Sequence, residues 1–553
     1  MHGHWLRKRG AGRARGLIAL LTTGMLAAAA VGGFALGAPE AASAADPAAA
    51  IFSEGASSLD WGYVGHDRNN DRYAPERQIN TSNVSRLKRV WSAGVGPQQY
   101  LMEDFPIEQN GALYITTSSD EMLALKATNG RRLWRYAPNV NFSLSTGVGG
   151  YGVSVNRGVA VADGKVYVAT FDDKLMAVQQ STGEQLWSSQ IVSPHTGAYE
   201  TTAPTVWNNM VFVGDSGAED GVRGFVAAYN AKTGKQIWRF YTVPKAGTSW
   251  VPKHGGGGTV YFAPTVDPTT GTIYVGTGNP APAIVGTARP GPDLYTDSIL
   301  ALNAYTGKLK WYHQEVRHDL WDYDAESPVV LFNAEVHGRT VPAVGEAGKS
   351  GYYFILNRAT GKDLFRKLPF VKENHTPPTT KGKLECPGAV GGSQYAPVSY
   401  SPQTHAAYVS GINLCMILTV KKKGGTGESQ FGGTRSSPSK QTPTGTFSAV
   451  NVNTGKFLWR HKMPTPMTGG STTTAGGIVF TGDQKGNFYA FNAATGKLLW
   501  KTNVGLAFGS APVVYEIKGR EYVVAAVGGG ALTASEHLGP IGARIVAFAL
   551  PKS

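Results

Sequence analysis

The 553-residue chain carries 52 Lys and Arg against 38 Asp and Glu, a formal charge of +14, with 71 glycines and only two cysteines. That length exceeds what one ordinary compact core supports, so several domains or one large repeat architecture is expected. The basic residues are dispersed apart from Lys421-Lys422-Lys423 and lack interleaved aromatics, which argues against nucleic acid as a partner. An acidic protein or an anionic envelope surface suits such a charge better.

Residues 1–44 read as an export signal. Arg7, Lys8, Arg9, Arg13 and Arg15 form a basic leader, an apolar run follows from Leu17 to about Leu36, and Ala42-Ser43-Ala44 offers a small-residue cleavage site. The apolar run approaches membrane-spanning length, so an uncleaved anchor is the alternative. The leader holds no adjacent arginine pair, which leaves a twin-arginine route unsupported. Residues 45–553 are then a secreted or cell-envelope domain. In that compartment Cys386 and Cys415 most simply form one disulfide. There is no Cys-x-x-Cys-His and hence no attached c-type haem, so electrons from any redox chemistry must leave to another molecule.

The chain then repeats itself. Lys126-Ala127-Thr128-Asn129-Gly130-Arg131-Arg132-Leu133-Trp134 is echoed by Gln180-Ser181-Thr182-Gly183-Glu184-Gln185-Leu186-Trp187, then by copies ending at Trp238, Trp311, Phe365, Trp459 and Trp500. A strand leads into each Thr-Gly turn, where Gly or Asn supplies positive φ, and a second strand ends on the aromatic. Periods of about 40–55 residues, each able to supply several short strands, mark a β-propeller. With Trp91 the aromatics number eight, which predicts an all-β, eight-bladed propeller. The segment Arg544-Ile545-Val546-Ala547-Phe548 would share a blade with the strand ending at Trp91, closing the ring and removing exposed edges. The Trp residues dock neighbouring blades and are not catalytic. The long intervals 238–311 and 365–459 hold loop insertions.

One stretch breaks the pattern. His318-Asp319-Leu320-Trp321-Asp322-Tyr323-Asp324 crowds four acidic or imidazole side chains into seven residues. On an extended segment Asp322 and Asp324 would project from one face, where paired carboxylates repel unless a cation or a shared proton separates them.

From residue 58 to 550 the sequence resembles the quinoprotein alcohol dehydrogenases, eight-bladed propellers that hold pyrroloquinoline quinone (PQQ) and a metal. The likeness is carried by Trp61-Gly62-Tyr63, Asp71-Arg72-Tyr73-Ala74-Pro75 and Asn83-Val84, and more specifically by three separated site segments. The resemblance implies that Glu219 of Ser216-Gly217-Ala218-Glu219, Asn279 of Gly276-Thr277-Gly278-Asn279 and Asp322 bind the metal. All are hard oxygen ligands suited to Ca²⁺. Asp324 stands where lanthanide-using members carry an extra carboxylate, so a lanthanide is the alternative ion. The implied cofactor pocket contains Glu103, Arg157, Thr201, Ser216, Ala218, Tyr261 and Lys349. Cys386 and Cys415 match a family disulfide, worth roughly 3 kcal/mol.

Three departures stand out. Tyr151-Gly152 occupies the place of a vicinal disulfide that covers the quinone, Tyr261 that of a stacking Trp, and Gln394-Tyr395 that of Asn-Trp. Tyrosine still offers a π face, though a smaller one. The implied reaction oxidises an alcohol to an aldehyde or ketone, with Asp322 as general base. Electrons would pass to an acceptor such as a cytochrome c or a quinone. Rival readings are a PQQ-dependent sugar dehydrogenase and a non-catalytic envelope scaffold.

Overall fold

A computed structural model describes residues 61–143, 153–421, 430–438 and 440–552, all within one unit, Asp46–Ser553. The export signal and Tyr151-Gly152 lie outside the described residues. Eight sheets carry four antiparallel strands each, spanning 107–136, 160–190, 205–241, 265–314, 330–369, 399–463, 471–503 and 513–549, the last completed by Lys88–Gly94. These are the eight expected blades. Lys88–Gly94 pairs antiparallel with Arg544–Ala549, Trp91 opposite Ala547, so the ring closes as the repeat count requires.

Burial follows from the stacking of blades. The second strand of the first blade, Ala112–Thr116, is buried at every position, while the outer Arg132–Tyr136 is largely exposed. Inner strands are covered on both faces by neighbouring blades and therefore read as continuous apolar runs. The outer strand keeps its arginines in water.

Seven of the eight docking aromatics lie against the glycine of a turn in the next blade. Trp134 donates its indole N–H to the Gln180 carbonyl at 2.9 Å, and Trp238, Trp311 and Trp459 do the same to Ala304, Arg358 and Ala493. At Gly183 two demands coincide. Its φ is +75°, and a Cβ there would lie 2.6 Å from the Trp134 ring. Gly183→Ala is therefore expected to destabilise the protein by about 2–3 kcal/mol, read from the midpoint of urea unfolding. Phe365 plays the same part against Gly455, although it lies in the bend before a short fourth strand, Leu368–Pro369. For Trp500 the N-terminal turn Val84–Arg86 takes the place of a Thr-Gly turn against its strand.

Residues 61–75 run inside the ring and plug its channel. Tyr73–Ala74 adds a parallel strand beside Ser471–Thr474. The Asn69 carbonyl accepts from Leu331 N–H, that of Asp71 from Tyr400, and that of Trp61 from Glu108. Arg72, fully buried, donates to the carbonyls of Ser471 and Pro512, and its guanidinium lies 4.9 Å from the Trp61 ring. The insertions predicted between 238 and 311 and between 365 and 459 are present. The first forms a two-stranded ribbon, Gly256–Gly257 with Pro280–Ala281, and the second a three-stranded sheet of Lys383–Glu385, Met416–Val420 and Gly433–Ser436.

Candidate functional site

In an up-and-down blade the chain enters the innermost strand at the same end at which the second strand turns into the third. Glu103, Arg157, Thr201, Tyr261, Asp322 and Asp324 all precede an innermost strand, while Ser216, Ala218, Glu219, Asn279 and Lys349 all lie between a second and a third strand. The fold therefore gathers these eleven residues at one end, and all of them line a single cavity of about 990 Å³.

One side of the cavity is a cationic cradle. The Arg157 guanidinium is paired with Glu103 at 2.8 Å and donates to the Thr201 hydroxyl at 2.6 Å and the Tyr261 carbonyl at 2.9 Å. The Tyr261 and Tyr395 rings lie 5.2 and 4.6 Å from it, giving flat walls at the two positions where the family resemblance implies tryptophan. Thr201 is within 3.0 Å of the Ser216 hydroxyl. The second Glu103 oxygen accepts from Ala531 N–H at 2.8 Å, which ties the short helix Ala531–Ser535 to the cavity.

The other side is a carboxylate cluster with one lysine. Lys349 lies 2.6 Å from Asp324 and 3.5 Å from Asp322. Asp324 also accepts Asn279 N–H at 2.7 Å and the Tyr261 hydroxyl at 2.6 Å. Glu219 accepts from the Tyr199 hydroxyl at 3.2 Å. Burial pushes the Asp322 pKa well above the usual carboxylate range; Lys349 pulls against this, while Asp324, Asp319 and Glu219 add to it. Burial also raises Glu219, with Asp324 adding to the effect. Burial alone would lower Lys349, but the adjacent Asp322, Asp324 and Glu219 outweigh it and hold the ammonium charged.

The segment 318–324 is a loop, so the shared face that an extended segment would give Asp322 and Asp324 is reached another way. Asp322 adopts φ +71°, a left-handed conformation that Asp tolerates better than bulkier residues. Asp319 sets that shape: its carboxylate accepts the N–H groups of Trp321, Asp322 and Tyr323 at 2.9, 3.1 and 3.0 Å. His318 lies apart, 3.3 Å from Asp293 and 2.8 Å from the Gly291 carbonyl. Of the four polar residues in the crowded stretch, Asp322 and Asp324 face the cavity, and the left-handed turn makes them converge on Lys349.

Sequence reasoning passed over Arg435. It approaches Asp322 to 3.7 Å from Gly433–Ser436, a strand of the second insertion, and no motif there distinguishes it from other surface bases. Val390, Phe431 and Leu532 line the same mouth. The wall is stapled by the disulfide Cys386–Cys415, whose Cα atoms are 4.4 Å apart and 29 residues distant in sequence. Replacing both cysteines with serine is expected to lower stability by about 3–4 kcal/mol. The check is guanidinium unfolding of the variant, which should also lose the wild type's sensitivity to reductant.

Comparison with known proteins gives the class. The family described as the PQQ glucose/ethanol/alcohol dehydrogenase β-propeller domain matches residues 61–368 and 366–523. The quinohemoprotein alcohol dehydrogenase of Comamonas testosteroni is 33% identical over 543 residues, covering 89% of this chain and 76% of that protein. The crystal structure of a Comamonas testosteroni quinohemoprotein alcohol dehydrogenase superposes with a TM-score of 0.83 at 30% identity, covering 92% of this chain and 83% of that one. A europium-containing methanol dehydrogenase superposes at 0.80 with 26% identity, covering 91% and 100%. Fold and sequence thus define a quinoprotein dehydrogenase, not a scaffold. The chain belongs to the PQQ-dependent glucose/ethanol/alcohol dehydrogenase family of β-propellers.

The donors present fit that family's groups. Asn279 spends its Nδ2 on the Pro280 carbonyl at 2.9 Å, which leaves the amide oxygen as the atom available to a cation. With Glu219 and Asp322 it makes an all-oxygen set suited to a hard ion. Arg157 between two tyrosine rings fits a flat, anionic quinone.

Proposed function

We propose that this chain is an exported dehydrogenase that oxidises an alcohol to an aldehyde or ketone. PQQ would lie against Arg157, Tyr261 and Tyr395, and Ca²⁺ would be held by Glu219, Asn279 and Asp322. The observation that carries this reading is the convergence of Glu219, Asn279, Asp322 and Lys349, from four separate segments, on one cavity. When bound, the quinone supplies a two-electron oxidant and the ion a Lewis acid. Asp322 accepts the proton of the substrate hydroxyl. Lys349 and Arg435 offset the carboxylate charge around it. Arg157, held by Glu103 and Thr201, orients anionic groups on the opposite wall.

The cavity lining mixes apolar Ala389, Val390, Phe431 and Leu532 with polar Gln394, Gln430, Thr434 and Arg435, so the choice of an alcohol over a sugar is supported by the alcohol dehydrogenase relatives. Electrons leave to a separate acceptor, a cytochrome c or a quinone. The lanthanide reading rests on one observation, the third carboxylate that Asp324 places beside Glu219 and Asp322. Against it, one Asp324 oxygen is already engaged by both Tyr261 and Lys349.

The test is reconstitution of the metal-stripped protein with PQQ and Ca²⁺ or La³⁺. Dye reduction is followed with primary and secondary alcohols, polymeric alcohols and sugars. Activity with alcohols and Ca²⁺ supports the reading; absence of quinone binding with either ion overturns it. Export is tested separately by N-terminal sequencing of protein recovered outside the cytoplasm, which should begin at Ala45.

A further inference from the structure

The channel plug contains a cluster that the proposed reaction does not use. His66 is 3% exposed, and neither of its ring nitrogens has a hydrogen-bond partner among the described residues. One ring nitrogen and one carboxylate oxygen each from Asp67 and Asp71 lie within 4.8 Å of one another. A buried imidazole without a partner is unfavourable, and so are two adjacent carboxylates without a cation between them. Arg72 directs its guanidinium to backbone carbonyls, and Arg68, whose guanidinium lies 5.5 Å from the Tyr63 ring, offsets the Asp67 charge less than burial disfavours it. The donors are also held in place: Asp67 accepts Asn69 N–H and Nδ2 at 2.9 Å each, Asp71 accepts Tyr73 N–H at 2.9 Å, and the His66 ring packs edge-on against Trp61 at 4.9 Å.

We propose that His66, Asp67 and Asp71 form a second metal site, for a divalent transition ion such as Zn²⁺, that locks the N-terminal plug into the propeller channel. One imidazole nitrogen with two carboxylates suits a borderline ion, whereas the oxygen set of Glu219, Asn279 and Asp322 suits a hard one. The two sites therefore select different metals. The ion would cross-link a segment that already bridges several blades, through Asn70 to Thr265 and through the Asp71 carbonyl to Tyr400. Its role is structural and independent of the quinone chemistry.

The experiment is metal analysis of the mature protein, stripped with chelator, loaded with Zn²⁺ and passed through gel filtration. The expected result is one retained equivalent of Zn²⁺ in the wild type and in the double variant Glu219→Gln/Asp322→Asn, and none in His66→Asn, a substitution that tolerates the +78° φ at this position. Co²⁺ in place of Zn²⁺ should give visible d–d absorption in the wild type that His66→Asn lacks, and Zn²⁺ should raise the melting temperature of the wild type only. Should His66→Asn fail to fold, Asp67→Asn serves as the same test. Retention that survives in the plug variant but disappears from the double variant overturns the proposal, as does a wild type that retains no Zn²⁺.

Discussion

Asp322→Asn is expected to lower kcat by about 10³-fold while leaving PQQ bound. The amide is isosteric and accepts the +71° φ, so the loop held by Asp319 should keep its shape. Lys349 retains its closer partner, Asp324, at 2.6 Å, and the amide oxygen remains a ligand for a hard cation. What is lost is the group able to take a proton from the substrate hydroxyl. Single-turnover dye reduction beside quinone stoichiometry from absorbance separates the two effects. A variant that keeps more than about a tenth of the wild-type rate would remove Asp322 from the role of base.

Asp324→Ala is expected to reduce kcat/KM by about 10–100-fold with Ca²⁺, because a residue that would orient the proposed metal ligands is removed while those ligands stay. Asp324 receives Asn279 N–H, the Tyr261 hydroxyl and the Lys349 ammonium, and its loss leaves the first two without that acceptor and Lys349 with Asp322 at 3.5 Å. The same vacancy should lower stability by about 3 kcal/mol. If the wild type works only with La³⁺ and the variant with neither ion, Asp324 is a direct ligand and the Ca²⁺ assignment falls. If both proteins work with Ca²⁺ at different rates, it is a buttress. Titrating each ion against quinone fluorescence in both proteins distinguishes the cases.

The predicted ring of eight blades and the observed one agree because the determining features are local. A Thr-Gly turn requires positive φ at one residue, and the aromatic a few residues on must find a flat glycine surface in the next blade, as Trp134 does at Gly183. The candidate site residues were likewise legible as motifs, since Ser216-Gly217-Ala218-Glu219 and Gly276-Thr277-Gly278-Asn279 are short and contiguous. The conformation of 318–324 was not. An extended segment would put Asp322 and Asp324 on one face, but Asp319 folds its own loop by accepting three successive N–H groups, a choice that alternating polarity does not reveal.

By itself, then, the sequence determined the all-β repeat architecture, the closure of the ring through Trp91 and the residue types offered to a cofactor. Each of these rests on patterns spanning a few residues. Tertiary structure alone decided which side chains meet. It set Ala531 against Glu103 and Arg435 against Asp322, and it threaded His66, Asp67 and Asp71 into the channel between blades distant in sequence. Those contacts depend on the angle at which eight sheets close around an axis, and on insertions that pack by shape with no periodic signal to read.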